Sequence, residues 1–198
     1  MNYKVYDLNV MPKLSPYQAS IDRERAWVFL PALGAHLAQA PVLRWDLMPV
    51  LKRPISSRLF GENKTWRGAL VMTTGTVAAT VALYRVPAYR RRLSPSVAAA
   101  DPARVGLRLG FAVWIGELPN SFVKRRLGIP PGAQRRSLGG VVISVVDQAD
   151  WVPAAWLLLS PVLRMRPSEA ARVAALVAAV HVPINIIGYA IGARTAPL

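Results

Sequence analysis

The sequence predicts an all-α protein, a polytopic integral membrane bundle of about five transmembrane helices. Hydrophobic residues make up 53% of its 198 residues, and its mean hydropathy is +0.28. The apolar residues form blocks that basic and proline-rich stretches separate. This pattern is typical of a membrane protein and argues against a soluble domain.

The apolar blocks have the length that membrane spans require. A helix needs roughly 17 to 25 mostly apolar residues to cross the hydrocarbon core. The blocks that meet this criterion are residues 26 to 48, 68 to 85, 105 to 122, 141 to 163 and 169 to 193. We therefore expect one transmembrane domain over residues 26 to 198. Residues 1 to 25 are mixed in charge and have no apolar core, which predicts a polar arm and not a signal peptide.

Most of the candidate spans carry polar side chains that a lipid-facing helix would avoid. Such groups are costly in hydrocarbon, so we expect them to face the interior of the bundle or a wet cavity. Taken alone, His181 is predicted to be an interhelical hydrogen-bonding residue. The polar residues are His36, Gln39, Glu117, Asn120, Asp147, Gln148, Asp150, His181 and Asn185.

The chain is strongly basic, with 25 Lys and Arg against 10 Asp and Glu and a net charge of +15. No basic helix has interleaved aromatic residues or a DNA-binding motif, so we expect no nucleic-acid partner. The charge is better suited to lipid head groups or a phosphorylated substrate. Two basic loops, 51 to 68 and 119 to 140, fall on one face of a five-span bundle, and the positive-inside rule places them in the cytoplasm. Three arginines at 90 to 92 fall on the opposite face.

Asp147 and Asp150 lie three residues apart in the segment "DQAD" of the fourth candidate span. On a helix this spacing brings the two carboxylates to one face, with their Cβ atoms roughly 5 to 6 Å apart. Two ionised carboxylates this close in a low-dielectric site repel each other unless a cation is present. Hard oxygen ligands suit Mg²⁺, which binds through one or two carboxylates plus substrate phosphates. We therefore predict Asp147 and Asp150 as magnesium ligands, with Glu117 as a third.

The alternative is that these acids form ion pairs with nearby arginines and only hold helices together. The two basic loops favour a catalytic role for these acids. Sites of phosphoryl or nucleotidyl transfer commonly hold a metal-bound phosphate surrounded by Lys and Arg. The absence of cysteine excludes a thiolate metal site and a cysteine nucleophile. Trp66 and Trp151 are predicted to anchor the helices at the membrane interface.

Several motifs, in order and spacing, resemble the CDP-archaeol synthase family. The resemblance covers nearly everything after the N-terminal arm. It implies a five-helix membrane enzyme of phospholipid biosynthesis, related to the CDP-diacylglycerol synthases, that uses Mg²⁺ to transfer the cytidylyl group of CTP to a lipid phosphate and releases pyrophosphate. The motifs are "LPALGAHLAQAPVL" (30 to 43), "FGENKTWRG" (60 to 68), "GELPNSFVKRRLGIPPG" (116 to 132), "DQAD" (147 to 150) and "HVPINIIGYAIG" (181 to 192).

The resemblance also implies roles for individual residues, position by position. The active site would face the cytoplasm, with CTP, the lipid phosphate and membrane lipids as partners. The implied catalytic residues are Lys64, Lys124, Arg125, Asp147 and Asp150. The implied substrate-binding residues are Asn63, Lys64, Thr65, Arg67, Asn120, Ser121, Lys124, Arg125, Arg126, Gln148, His181 and Asn185.

This chain departs from the family pattern at a few positions. Glu117 stands where the family has aspartate, Gln39 replaces an asparagine, Ser56 an acidic residue and Ser144 a proline. The lipid substrate stays open among archaeal diether, diacylglycerol and polyprenyl phosphates. The rival function is that of a non-catalytic relative, a lipid-binding scaffold or small transporter. The retained carboxylates and basic residues favour the enzyme.

Overall fold

The computed structural model describes residues 26–130 and 147–190, and within 181–190 it describes the side chains of Pro183 and Ile186 only. The predicted arm at 1–25 lies outside this part of the chain. So do Ser144 and the side chains of His181 and Asn185, whose predicted roles therefore stay predictions.

The described residues form helices and turns. One 3₁₀ turn, Trp27–Ala32, precedes the first α-helix, and a second, Pro49–Leu51, follows it. The α-helices are α1 (Leu33–Arg44), α2 (Ser57–Phe60), α3 (Trp66–Tyr84), α4 (Pro87–Arg90), α5 (Pro95–Ala98), α6 (Pro102–Arg126), α7 (Val152–Leu159) and α8 (Pro167–Ala190). The all-α class is confirmed. In the described ranges, no helix combines the length and the apolar character that a membrane crossing requires.

The two long helices α3 and α6 begin and end where local chemistry dictates. Thr65 caps α3, because its Oγ1 accepts a hydrogen bond from the Gly68 amide at 3.1 Å. Asp101 caps α6 in the same way, accepting from the Arg104 amide at 2.7 Å. At the other end of α6, Gly128 has a φ of +67°, a left-handed conformation that glycine adopts without steric cost. Its amide donates to the carbonyl of Arg125 at 3.2 Å and closes the helix.

Glycines let α3 pack closely against α1 on one side and α6 on the other. A Cβ built on Gly34 of α1 would lie 2.7 Å from the carbonyl oxygen of Gly75 in α3. A Cβ on Gly110 of α6 would lie 2.8 Å from the Cα of Thr73 in α3. Because no larger residue fits at these crossings, the helix backbones approach each other directly.

The loop between α3 and α6, which contains α4 and α5, lies at one end of the bundle, hereafter the distal end. Two tyrosine hydrogen bonds hold this loop in place. The hydroxyl of Tyr84 donates to the carbonyl oxygen of Val97 at 2.9 Å. Tyr89 donates to the carbonyl of Trp27 at 3.0 Å, and burial raises the pKa of its phenol. Because the Tyr84 bond joins this loop to α3 and the Tyr89 bond joins it to the first 3₁₀ turn, the loop has a defined place on the bundle.

The structure corrects two sequence-based expectations near the fourth candidate span. The paired acids do not lie on a helix, because residues 147–151 form turns and α7 begins only at Val152, with Pro153 in its first turn. Proline suits a helix start, since it has no N–H to donate within the helix. Trp151 is not an interface anchor: it is buried and packs against Phe29, with ring centroids 5.8 Å apart. Trp66 is exposed.

Candidate active site

The two acids of the "DQAD" segment meet at one asparagine of α6. The Asn120 amide donates to Asp147 and also to Oδ2 of Asp150, the latter at 3.0 Å. The turn therefore achieves the convergence that a helix was predicted to provide. All three side chains are only partly buried, so a ligand can reach them.

Lys124 lies one helical turn beyond Asn120 on α6 and forms an ion pair with Asp147. Residues four apart on a helix project from the same face, which explains why both side chains contact the same turn. The predicted catalytic residues Lys124, Asp147 and Asp150 therefore lie in one cluster.

Lys64 comes to the site from the first basic loop and pairs with Glu117 of α6. Its position is set by a short antiparallel contact in which the Ile55 amide donates to the Lys64 carbonyl at 2.8 Å and the Trp66 amide donates to the Arg53 carbonyl at 3.1 Å. The backbone at Lys64 is thus fixed, and its ammonium group reaches Glu117 on α6.

Arg67, for which the resemblance implies phosphate binding, contacts Asp46 and Leu47 in this structure, and its role at a phosphate stays a prediction. It is 5% exposed, and its Nη1 donates to Oδ1 of Asp46 at 2.5 Å and to the carbonyl of Leu47 at 3.0 Å. These bonds hold the chain where it leaves α1 against the start of α3. Sequence reasoning did not identify Asp46, because an acid at the end of an apolar block has no motif that marks its partner.

Arg125 has two buried donor atoms that lack a hydrogen-bond acceptor. Its Nε and Nη1 are buried and lack a hydrogen-bond partner, and so does Oδ1 of Asp150. Buried polar groups are almost always paired in native proteins, and an unpaired one costs stability. The unpaired acceptor belongs to the carboxylate cluster and the unpaired donors to the residue after Lys124, and a site arranged for a charged ligand requires both kinds of group.

The other predicted binding residues are distributed around this cluster. Gln148 lies in the turn between the two acids, and Ser121 is buried on α6 next to Asn120. The guanidinium of Arg126 lies 4.8 Å from the ring centroid of Phe122, on the exposed side of α6.

One cavity borders the Lys64 and Glu117 pair, and another borders the carboxylate cluster. A small one of about 230 Å³ is mainly polar and lies against the first basic loop. A larger groove of about 810 Å³ is mainly apolar, runs between α6 and α7, and has Asn120 and Asp150 in its wall. The small cavity is bordered by His36, Gln39, Asn63, Lys64, Thr65 and Glu117.

The carboxylates fit a magnesium ion held by two protein ligands. Asp147 and Asp150 converge, and one oxygen of Asp150 is unpaired. Mg²⁺ commonly takes one or two carboxylates and completes its shell with water and substrate phosphates. The described part of the chain holds no group of three or more His, Cys, Asp or Glu side chains that could bind a metal. Glu117 is paired with Lys64 instead, so its role as a third ligand stays a prediction.

A close contact between α6 and the turn before α7 sets the geometry of the cluster. A Cβ on Gly116 would lie 2.4 Å from the Cα of Trp151. Gly116→Ala is therefore expected to push the acid-bearing turn away from Asn120 and to destabilise the protein by about 1 to 3 kcal/mol, the usual cost of overpacking. Thermal unfolding of the purified protein in detergent would measure the loss.

Gly68→Ala is the matched control, because a Cβ there meets its nearest neighbour, Oγ1 of Thr65, at an ordinary 3.5 Å. Equal melting temperatures for the two variants would contradict the proposed close contact.

Comparison with known proteins identifies the family. A family profile described as CarS-like CDP-archaeol synthase matches residues 52–198. The chain is 35% identical to a CDP-archaeol synthase of Halobacterium salinarum over 147 residues, which cover 71% of this chain and 76% of the relative. It is 28% identical to that of Pyrococcus furiosus over 178 residues, covering 88% and 96%. No solved structure matches it. The chain therefore belongs to the CDP-archaeol synthase family, the family of nucleotidyltransferases that its motifs predicted.

Proposed function

We propose that this protein transfers the cytidylyl group of CTP to a lipid phosphate, forming a CDP-activated lipid and pyrophosphate in phospholipid biosynthesis. The observation that carries the proposal is the juxtaposition of the Asp147 and Asp150 pair with Lys124, on a helix whose next residue, Arg125, has buried donors without partners. Two phosphate-bearing substrates bring many negative oxygens together. An active site that brings these two substrates together must place several positive groups close to each other to offset the repulsion between the phosphates.

The small polar cavity is the proposed place for the CTP triphosphate. Lys64 borders it, and Asn63 and Thr65 lie in its wall. In this structure Lys64 forms an ion pair with Glu117. Binding of a triphosphate would give the ammonium group of Lys64 a competing anionic partner.

The groove between α6 and α7 is the proposed path of the lipid chain. Its apolar wall includes Phe111, Ile115 and Leu157, whereas Asn120 and Asp150 make its polar end. A lipid whose tail lies in this groove would place its phosphate beside the carboxylate cluster. The apolar wall suits isoprenoid and acyl chains alike, so both diether and diacyl phosphates are proposed substrates.

We also propose that the protein lies in the cell membrane with the carboxylate cluster toward the cytoplasm. The support is the exposure of large apolar side chains on helix surfaces, among them Leu70, Leu107, Leu157 and Val180. The glycine contacts between α1, α3 and α6 are also of the kind that packs membrane helices. CTP is a cytoplasmic nucleotide, which favours this orientation.

The proposed reaction needs no protein nucleophile. A phosphate monoester has a second pKa near 6, so the lipid phosphate is mostly dianionic near pH 7 and can attack the α-phosphorus of CTP, with pyrophosphate leaving. Lys64, Lys124 and Arg125 would bind and orient the two anions and reduce the repulsion between them. Asp147 and Asp150 would hold Mg²⁺. When bound, Mg²⁺ supplies charge that neutralises the phosphate oxygens and polarises the reacting phosphorus.

The direct test is to incubate the detergent-purified full chain with labelled CTP, Mg²⁺ and either a diether or a diacylglycerol phosphate. We expect CDP-lipid and pyrophosphate in equal amounts with at least one of the two lipids. Binding of lipid phosphate with no CTP consumption would contradict the proposal and support a scaffold.

The direct-attack mechanism makes a separate prediction. Lipid-stripped protein incubated with CTP, Mg²⁺ and labelled pyrophosphate should not exchange label into CTP, because without the lipid phosphate nothing attacks the α-phosphorus. A covalent cytidylyl-enzyme would instead exchange the label rapidly. Robust lipid-independent exchange would therefore overturn the mechanism while leaving the overall reaction intact.

A further inference from the structure

The bundle contains a second apolar cavity, separate from the groove between α6 and α7. Its volume is about 520 Å³. Leu30 and Leu33 line one side, and Leu176 and Val180 of α8 line the other. The catalytic scheme proposed above has no use for this space.

The mouth of this cavity is basic. Arg91 and Arg92 border it at the distal end, and the guanidinium of Arg92 lies 4.7 Å from the ring centroid of Trp27. The hydrogen bond from Tyr89 to the Trp27 carbonyl fixes the backbone beside both arginines. The described lining contains these two guanidinium groups and no carboxylate.

The arginines at the mouth are exposed and lie at the opposite end of the bundle from Lys124 and Asp147. In the proposed orientation they sit at the non-cytoplasmic interface, where the positive-inside rule disfavours unneutralised Lys and Arg. An anionic head group at that interface would neutralise them, and the apolar cavity beneath would receive its chain. Charge and shape are thus both complementary to a lipid with a negative head group.

We propose that this cavity binds one anionic phospholipid as a non-substrate ligand, with its phosphate on Arg91 and Arg92 and an acyl or isoprenoid chain between residues 26–36 and α8. The inference rests on the membrane location in the proposed function, but it does not depend on the proposed chemistry. A phosphodiester lipid has no terminal phosphate monoester. It therefore cannot act as the attacking substrate.

The test uses the detergent-purified, lipid-stripped full chain titrated with dioleoylphosphatidylglycerol or dioleoylphosphatidylcholine and analysed by native mass spectrometry. We expect the first molecule of phosphatidylglycerol to bind at least roughly tenfold more tightly than the first molecule of phosphatidylcholine. The double variant Arg91→Gln/Arg92→Gln should lose this preference. Arg90→Gln, which removes an adjacent exposed charge outside the cavity, should keep it.

Two further measurements fix the position of the lipid. A phosphatidylglycerol with a photoreactive group on its chain should label residues 26–36 or α8, in wild type and alike in Lys124→Ala, a variant expected to lose activity. Val180→Trp should block this labelling by filling the cavity. Labelling confined to α6 and α7 would overturn the proposal. Equal binding of the anionic and the zwitterionic lipid, the result expected if residues 1–25 fill the cavity, would also overturn the proposal. A loss of anion preference in Arg90→Gln as large as that in the double variant would do the same.

Discussion

Asp150→Asn is expected to lower the rate of CDP-lipid formation by about a hundredfold or more, the range seen when one preorganised electrostatic group is lost from an active site. The amide keeps the shape of the side chain and an oxygen that can accept from Asn120. It lacks the charge that a magnesium ligand at this position supplies. The protein is expected to stay folded, because the substitution removes one of two neighbouring negative charges and leaves the Lys124 to Asp147 pair in place.

The measurement is the initial rate of CDP-lipid formation at saturating CTP, with thermal unfolding as the test of folding. Glu169→Gln is the control, since Glu169 accepts a hydrogen bond from the Arg166 amide at 2.7 Å and glutamine retains an acceptor oxygen. Near-normal turnover in Asp150→Asn would remove Asp150 from the metal site. Turnover lost equally in Glu169→Gln would show that the assay reports general damage.

Arg125→Leu is expected to separate activity from stability. Turnover should fall well over tenfold, a loss of at least about 1.4 kcal/mol of transition-state stabilisation, because the guanidinium no longer meets a phosphate. Stability should be unchanged or higher. The reason is that Nε and Nη1 of Arg125 are buried without partners, and each such unpaired group costs about 1 to 3 kcal/mol.

Arg104→Leu provides the matched control, because Arg104 is an exposed arginine near the start of the same helix. It should change neither turnover nor the melting temperature appreciably. A large loss of stability in Arg125→Leu would mean that the guanidinium has a structural role, and full activity in that variant would place the phosphate contact elsewhere.

The long helices were predictable because the blocks that form them are long and mostly apolar. The blocks at 68 to 85 and 105 to 122 correspond to α3 (Trp66–Tyr84) and α6 (Pro102–Arg126), with ends displaced by one to four residues. The helix ends are displaced because capping hydrogen bonds, and not hydropathy, decide where a helix begins and ends. Thr65 and Asp101 cap the starts of α3 and α6, and the Gly128 amide closes the basic end of α6.

The candidate site was predictable as a set of residue types but not as a set of contacts. The paired acids and the basic loops stand out in the sequence because charge is expensive in an apolar setting. Which lysine pairs with which acid depends on helix crossings, and Gly116 brings α6 and the acid-bearing turn together. The pairing of Arg67 with Asp46 depends in the same way on the packing of α1 beside α3.

Hydropathy and motif order, by themselves, determined the helical class, the family and the chemical type of the site, because each is a property of residue identity and spacing. Only the tertiary structure decided that Asp147 and Asp150 meet at Asn120 from a turn, that Nε and Nη1 of Arg125 are buried without partners, and that Arg67 pairs with Asp46. These facts follow from side chains on different helices that packing brings within a few ångströms of each other. Sequence spacing carries no record of such distances.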